Sequence, residues 1–195
     1  MKNIILASKS PRRKSLLKQI GLNFTVDVSE VDERKFSHSN PVGLAKSLSK
    51  AKAEAVFVRH KNAIIISADT LVVLNKEIIG KPKSAKDAEK ILKKLSGKTH
   101  LVITGFTVLD SKTKKEITKT VKSKVKFKKL TKKEINWYVK TGEPLDKAGA
   151  YGIQDKGAIF IEEVEGDFFN VVGLPIFELS ESLKKFGIDT ASILI

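Results

Sequence analysis

The 195-residue chain contains no cysteine. Without thiolates it can form neither a disulfide bond, nor a cysteine nucleophile, nor a thiolate zinc site. No apolar stretch approaches the length of a membrane span, and the first apolar run, Ile4–Ala7, is too short for a secretory signal. The few histidines, His38, His60 and His100, lack ligand spacing and are predicted to lie on the surface. These absences predict a soluble, cytoplasmic protein without a membrane partner.

Basic residues outnumber acidic ones, which gives a formal net charge of +15. The excess is mostly lysine, spread along the whole chain. Such a surplus attracts polyanions and phosphorylated ligands. There is no arginine-rich tract and no basic stretch with interleaved aromatic residues, which are the patterns typical of nucleic-acid binding. The charge therefore favours small phosphorylated ligands, and a basic nucleic-acid-binding module is the alternative.

The order of apolar patterns predicts a mixed α/β fold in a single domain covering residues 1–195. An apolar fraction of 41% is sufficient for a buried core. The predicted strands are 4–7, Phe24–Val28, Ala63–Ser67, Leu71–Leu74, Glu77–Ile79, Thr99–Leu109, Glu116–Phe127 and Ala158–Val164. The predicted helices begin near Pro11, Ser39-Asn40-Pro41, Ser84, Thr131 and Pro175. No internal repeat and no linker divides the chain.

The turn after the first strand has the features of an anion site. Ser10 suits a helix N-cap, and Pro11 suits the first helical position. A helix N-terminus offers free backbone donors and a positive dipole end, and Arg12 and Arg13 follow at once. Ordinary capping with solvated basic residues is the alternative. However, cations at this helix end oppose the dipole, and arginine suits bidentate phosphate binding. We therefore favour a phosphate site.

Lys52 is unusual because it lies on the apolar stripe of the helix that begins at Pro41. Lys52 lies four residues after Leu48 and four residues before Val56, so its side chain starts from the buried face of the helix. A lysine in that position requires an anionic partner, because an unpaired buried charge is costly. The alternative is that the side chain extends to the protein surface.

Asp69 follows the apolar run Ile64–Ala68, at the predicted end of a buried strand, where α/β proteins collect ligands. A carboxylate there can coordinate Mg²⁺ or act as a general base. A turn aspartate that caps local backbone is the alternative. The pair Asp32-Glu33 follows another predicted strand and supplies a second source of carboxylates.

Two further polar residues lie in short segments that contain glycine. Lys81 lies between Gly80 and Pro82, where a tight turn restricts its direction. Gln154 lies in a glycine-flanked segment that suits recognition of a base edge, although a solvated loop amide is an equal alternative. Neither segment is a Walker P-loop or a dinucleotide fingerprint.

Taken together and in this order, the motifs closely resemble the Maf family of nucleoside triphosphate pyrophosphatases. The matching segments are SKSPRRKSLL, VDE, AKAEAV, SADT, GKP, SGKTH, AGAYGIQ and EGDFFNVVGLP. The resemblance implies a long twisted central mixed sheet flanked by helices, with two lobes and a cleft between them, similar to the inosine triphosphate pyrophosphatase-like fold. It also implies metal-dependent hydrolysis between the α- and β-phosphates.

The resemblance assigns roles to individual residues. Asp69 matches the catalytic proton acceptor, and Glu33 and Asp69 match positions for Mg²⁺ or Mn²⁺. The positions implied for phosphate binding are Ser8, Arg13, Lys52 and Lys81. The positions that distinguish the dTTP/UTP branch are Arg12, Thr70 and Gln154. Modified pyrimidine nucleotides are further candidate substrates. A house-cleaning purine triphosphate pyrophosphatase is a further alternative. The sequence leaves the oligomeric state open, with a homodimer among the choices.

Overall fold

A computed structural model describes residues 2–36 and 40–191. The strands are β1 Asn3–Leu6, β2 Thr25–Val26, β3 Ala63–Leu74, β4 Glu77–Ile79, β5 Thr99–Asp110, β6 Glu116–Phe127 and β7 Ile161–Glu165. The helices are α1 Pro11–Gln19, α2 Pro41–Phe57, α3 Ala85–Leu95, α4 Lys132–Lys140, α5 Phe168–Val172 and α6 Ile176–Lys184. Short 3-10 turns cover Glu33–Lys35, Glu143–Asp146, Ala148–Ala150 and Lys156–Phe160. Within the described ranges, no helix has both the length and the apolar character needed to cross a membrane.

The strands form one mixed sheet in the order β2-β1-β3-β5-β6-β7, with β4 also paired to β3. Strand β1 runs parallel to both β2 and β3. In contrast, β4 pairs antiparallel with β3, and β7 pairs antiparallel with β6. The predicted α/β class, with a central mixed sheet flanked by helices, is confirmed.

The chain divides into two compact units. The first contains residues 1–69, 104–121 and 173–195, and the second contains residues 70–103 and 122–172. Strands β3, β5 and β6 each contribute residues to both units. The first unit has a small apolar cluster that includes Ile5, Val56 and Ile65. The second has a larger cluster that includes Phe127 and Tyr138. Each unit therefore buries apolar residues of its own.

Strand β3 differs from its prediction because it is one continuous strand of 12 residues. Asp69 and Thr70 interrupt the apolar pattern but not the backbone, since β3 lies between neighbouring strands β1 and β5 in the sheet. At its end, Asn75 and Lys76 have φ values of 50° and 70°. Such left-handed residues form the two-residue turns that suit hairpins. The predicted β3–β4 hairpin is confirmed.

Two other predicted strands are shorter in the structure. The strand predicted at Phe24–Val28 is reduced to β2, which pairs with β1 through two residues. The strand predicted from Ala158 begins at Ile161, because Lys156–Phe160 forms a 3-10 turn. The apolar residues at the start of the predicted strand therefore belong to this turn.

The prediction of surface histidines is wrong for His100. This residue lies on β5 with 2% of its surface exposed, and its Nε2 atom is 2.8 Å from the hydroxyl of Tyr151. Burial lowers the pKa of His100 to about 4, so the ring is neutral at pH 7. His60 is half-buried beside the Asp27 carboxylate. His38, like the predicted cap residue Ser39, lies outside the described residues.

Helix α2 packs closely on the sheet at Gly105 of β5. A Cβ atom at this position would lie 2.3 Å from the carbonyl oxygen of Ala45, which is backbone and cannot move without the helix. Only glycine allows this approach. The contact fixes the position of the helix that carries Lys52.

We predict that Gly105→Ala lowers the free energy of unfolding by about 3 kcal/mol, because the added methyl group must displace α2. Thermal or urea unfolding monitored by circular dichroism measures this loss. Gly80→Ala is the control, since a Cβ there would meet nothing within 4 Å. Equal stability of the two variants would contradict the close packing of α2.

Strand β7 is the last strand in the order of the sheet, and three of its five residues are glutamates. Lys124 on β6 forms an ion pair with Glu165, and Lys126 forms one with Glu162. All four side chains are largely exposed, so each pair contributes little stability. Their principal effect is to place alternating charge along this edge of the sheet.

Candidate active site

Asp69 lies inside β3 and not at its end, which corrects the prediction. Its parallel neighbour β1 pairs with β3 only as far as Leu6, which faces Ile66. The amide of Ala7 then donates to the Ile66 carbonyl over 2.7 Å. From this point the first strand turns away, whereas β3 continues to Asp69. Asp69 is 7% exposed, and it still lies just past the carboxyl end of the parallel strand β1.

The turn after β1 has the predicted cap. Ser10 accepts a hydrogen bond from the backbone N–H of Arg13 at 3.5 Å, and Pro11 is the first helical residue. The hydroxyl oxygen of Ser8 accepts from the Ser10 N–H at 3.3 Å and from Arg13 Nη1 at 3.1 Å. Arg13 Nε donates to the carbonyl of Gly173 at 2.8 Å. The guanidinium is thus fixed by contacts on two sides.

The charge of Arg13 is held in a half-buried position. Burial lowers its pKa, the nearby carboxylates of Asp69 and Glu33 raise it, and the charge of Arg12 lowers it. Arginine remains protonated under such conditions because its pKa is so high. The structure therefore gathers two arginines and two carboxylates within electrostatic range of each other in the first unit.

Lys52 has the anionic partners that its place on α2 predicted. Its ammonium lies 2.6 Å from Glu33 Oε1 and 2.6 Å from Asp69 Oδ1, and its side chain is 13% exposed. Glu33 comes from the short turn Glu33–Lys35, whereas Asp32 caps that turn and binds Arg34. Of the two adjacent acids, Glu33 is therefore the one in contact with Lys52.

A hydroxyl contact that sequence reasoning missed connects β3 with α2. Ser67 Oγ donates to the carbonyl of Ser49 over 2.6 Å, and Ser49 Oγ is 3.1 Å from Thr107 Oγ1 on β5. Ser67 precedes Asp69 by two residues, and Ser49 precedes Lys52 by three. The buried contact thus helps to fix the separation between Lys52 and Asp69. Small hydroxyl residues in an apolar run were the only sequence signal for it.

The carboxylates of Glu33 and Asp69 suit a divalent cation. Each directs an oxygen at one positive centre, the Lys52 ammonium. Carboxylate oxygens are preferred by Mg²⁺ and Mn²⁺, which commonly complete their coordination with substrate phosphates. Among residues 2–36 and 40–191, no group of three or more His, Cys, Asp or Glu residues could hold a metal.

The other predicted site residues belong to the second unit. Thr70 is half-buried on β3, and Lys81 and Gln154 are exposed. The N–H of Gly149 donates to the carbonyl of Gly80 over 3.1 Å, so the turn that carries Lys81 is joined to the segment that leads to Gln154. The structure thus groups Ser8, Arg13, Glu33, Lys52 and Asp69 in the first unit, together with Arg12, and the remaining three in the second.

Comparison with known proteins assigns the chain to a family. The family model described as Maf-like protein matches residues 3–186. A dTTP/UTP pyrophosphatase from Dictyoglomus turgidum is 50% identical over 187 residues, which are 95% of this chain and 97% of the relative. One from Methanosarcina barkeri is 52% identical over 189 residues, 96% of each chain. The chain therefore belongs to the Maf-like protein family.

Similarity to solved structures is weaker. The structure of the Ham1 protein of Staphylococcus aureus aligns with 65% of this chain and 72% of its own chain, with a TM-score of 0.46 and 17% identity. The Ham1 protein of Coxiella burnetii gives a TM-score of 0.45. The family assignment rests on the sequence matches and not on these alignments.

Proposed function

We propose that this protein is a cytoplasmic nucleoside triphosphate pyrophosphatase that acts on dTTP and UTP. Water would attack the α-phosphorus, the bond to the bridging oxygen of the β-phosphate would break, and the products would be nucleoside monophosphate and diphosphate. The observation that carries the proposal is the contact of Lys52 with both Glu33 and Asp69. Relatives that carry this name and match nearly the whole chain support it.

In this proposal the phosphate chain is held by Ser8, Arg13, Lys52 and Lys81. Arg13 is half-buried and fixed by Ser8 and Gly173, so it offers a preorganised positive charge. Among the described residues, the Lys52 ammonium donates to Glu33 and Asp69 alone, and an ammonium has three donors. Its remaining N–H can meet a phosphate oxygen. Such fixed charges stabilise negative charge that develops during phosphoryl transfer.

Asp69 is the proposed proton acceptor. As the water oxygen bonds to the α-phosphorus, its proton passes to the carboxylate, and the leaving diphosphate departs on the opposite side. Lys52 holds this carboxylate in one orientation through Oδ1. A bound Mg²⁺ or Mn²⁺, held by Glu33, Asp69 and phosphate oxygens, would supply electrophilic polarisation of the phosphate.

Arg12, Thr70 and Gln154 are the proposed determinants of pyrimidine selectivity. Gln154 is exposed and carries both a donor and an acceptor, as recognition of a base edge requires. Arg12 stands next to the phosphate-binding Arg13, so the two arginines have separate proposed roles. Modified pyrimidine nucleotides with the same base edge are candidate substrates.

A panel of nucleoside triphosphates tests the proposal. We expect release of diphosphate from dTTP and UTP in the presence of Mg²⁺ or Mn²⁺, little release from purine triphosphates, and loss of turnover when EDTA removes the metal. Anion-exchange chromatography of the products separates monophosphate plus diphosphate from other cleavage patterns.

Two results would contradict the proposal. Preferential turnover of inosine or xanthosine triphosphate would indicate a purine house-cleaning enzyme. Absence of any turnover, together with DNA or RNA binding that weakens steeply with salt, would indicate a nucleic-acid-binding module.

A further inference from the structure

The segment Gly152–Gly157 carries Gln154 and is anchored at both of its ends. At its start, the Gly152 N–H donates to the Tyr138 hydroxyl over 3.1 Å. At its end, the N–H groups of Lys156 and Gly157 donate to the carboxylate of Glu143 over 3.1 and 3.3 Å. The two anchors are themselves joined, because the Tyr138 hydroxyl donates to Glu143 Oε1 over 2.6 Å. One phenol–carboxylate pair therefore accepts backbone hydrogen bonds at both ends of the loop.

Tyr138 ties the pair to the core, whereas Glu143 is half-buried and its hydrogen bond from Lys156 is exposed. Tyr138 is fully buried on α4, and its ring packs edge-on against Phe160 with centroids 5.0 Å apart. Burial and the adjacent Glu143 carboxylate raise the pKa of Tyr138, so the hydroxyl keeps its proton and donates it. Gly157 is required for this arrangement, since a Cβ there would lie 2.7 Å from the Tyr138 oxygen. The loop has no room to shift toward α4.

A second contact supports the start of the loop. The hydroxyl of Tyr151 is 2.8 Å from His100 Nε2, and both side chains are buried beside Phe127. The other ring nitrogen of His100, Nδ1, has no hydrogen-bond partner in the described part of the chain. Among the described residues, the imidazole ring of His100 thus has one hydrogen-bond partner, and that partner is Tyr151, the residue that precedes Gly152.

The side chain of Gln154 depends on the backbone around it, where Lys147 also forms an ion pair with Asp155 over 3.9 Å. The Gln154 side chain is exposed, and within the described ranges its amide makes no hydrogen bond to another residue. A side-chain amide on a free loop would lose considerable conformational entropy on binding a ligand. Anchoring the backbone on both sides of Gln154 reduces that loss before the nucleotide arrives.

We propose that Tyr138 and Glu143 are positioning residues for pyrimidine selectivity, because their hydrogen bonds fix the loop that presents Gln154. This inference rests on the proposed function, since it assumes that Gln154 contacts the base. Neither residue contacts the substrate, and neither takes part in the transfer of phosphate or proton. Their effect on turnover passes through Gln154.

A double-mutant cycle tests the inference. The values of kcat/KM for UTP are measured for wild type, Tyr138→Phe, Gln154→Ala and the double variant. If Tyr138 acts through Gln154, the loss caused by Gln154→Ala is about tenfold smaller in the Tyr138→Phe background, a coupling typical of residues within one network. Val125→Ala, a buried core change on β6 in the same apolar cluster, is the control for stability. In that background the effect of Gln154→Ala is expected to be undiminished.

The outcomes are distinguishable. Independent effects of Tyr138→Phe and Gln154→Ala would overturn the inference and leave the proposed function intact. A normal kcat/KM for UTP in Gln154→Ala would overturn both the inference and the proposed role of Gln154 in selectivity. Should Tyr138→Phe fail to fold, Glu143→Gln replaces it, because this change keeps the size of the side chain and removes the charged acceptor for two N–H groups. The same tenfold coupling is then required.

Discussion

Asp69→Asn is expected to lower the rate of diphosphate release from UTP by about 10³-fold, the scale of a lost general base. The amide has the size of the carboxylate but cannot accept a proton from the attacking water. The fold is expected to survive, because Lys52 keeps its contact with Glu33. Steady-state release of diphosphate and far-ultraviolet circular dichroism measure the two quantities on the same preparation.

Asp27→Asn is the matched control for this variant. Asp27 belongs to the same unit, and its carboxylate binds Arg59 and His60 rather than any candidate site residue. Its loss removes a surface ion-pair cluster and is expected to leave turnover near the wild-type value. Near-normal turnover in Asp69→Asn would rule out Asp69 as the proton acceptor.

Lys52→Met is expected to lower kcat/KM for UTP by about 10²-fold to 10³-fold, comparable to the loss of one donor that stabilises developing charge. The variant keeps the apolar stem but leaves Glu33 and Asp69 without the ammonium between them. Two carboxylates without that positive charge repel each other and attract a divalent cation more strongly. We therefore expect tighter binding of Mn²⁺ in the absence of nucleotide, measured by electron paramagnetic resonance.

Lys50→Met is the corresponding control, because Lys50 lies on the same helix and pairs with Glu116 and Glu54 at a largely exposed position. It should change neither turnover nor Mn²⁺ binding. A loss of turnover in Lys52→Met with unchanged Mn²⁺ affinity would assign Lys52 to the phosphates alone. Unchanged turnover would remove it from the site.

Local sequence patterns were sufficient to predict most helices and the need of Lys52 for an anionic partner. Asn40 and Thr131 cap their helices as their positions predict, because capping depends on residues three apart. Lys52 could be singled out because helical periodicity placed a charge on a buried face. One partner, Glu33, is 19 residues away in the sequence, and only the resemblance to a family placed it in the same site as Lys52.

The missed features depend on pairing and packing between distant segments. The continuity of β3 through Asp69 could not be predicted, since two polar residues resemble a strand end when the neighbouring strands are unknown. His100 resembled a surface residue because its partner, Tyr151, is 51 residues away. The Tyr138–Glu143 pair is close in sequence, but its importance depends on the N–H groups of Gly152 and Lys156, which no local pattern reveals.

The glutamates of β7 have a consequence for self-association. An edge strand offers unpaired backbone groups to which a second strand can add, and this is a common route to fibrillar aggregation. If the β7 strands of two copies met edge to edge, the glutamates Glu162, Glu163 and Glu165 of both copies would be brought close together. Like charges directly opposite one another are destabilising. The glutamates of β7 thus discourage assembly by sheet extension, Glu163 most of all, since Glu162 and Glu165 already form ion pairs with Lys126 and Lys124.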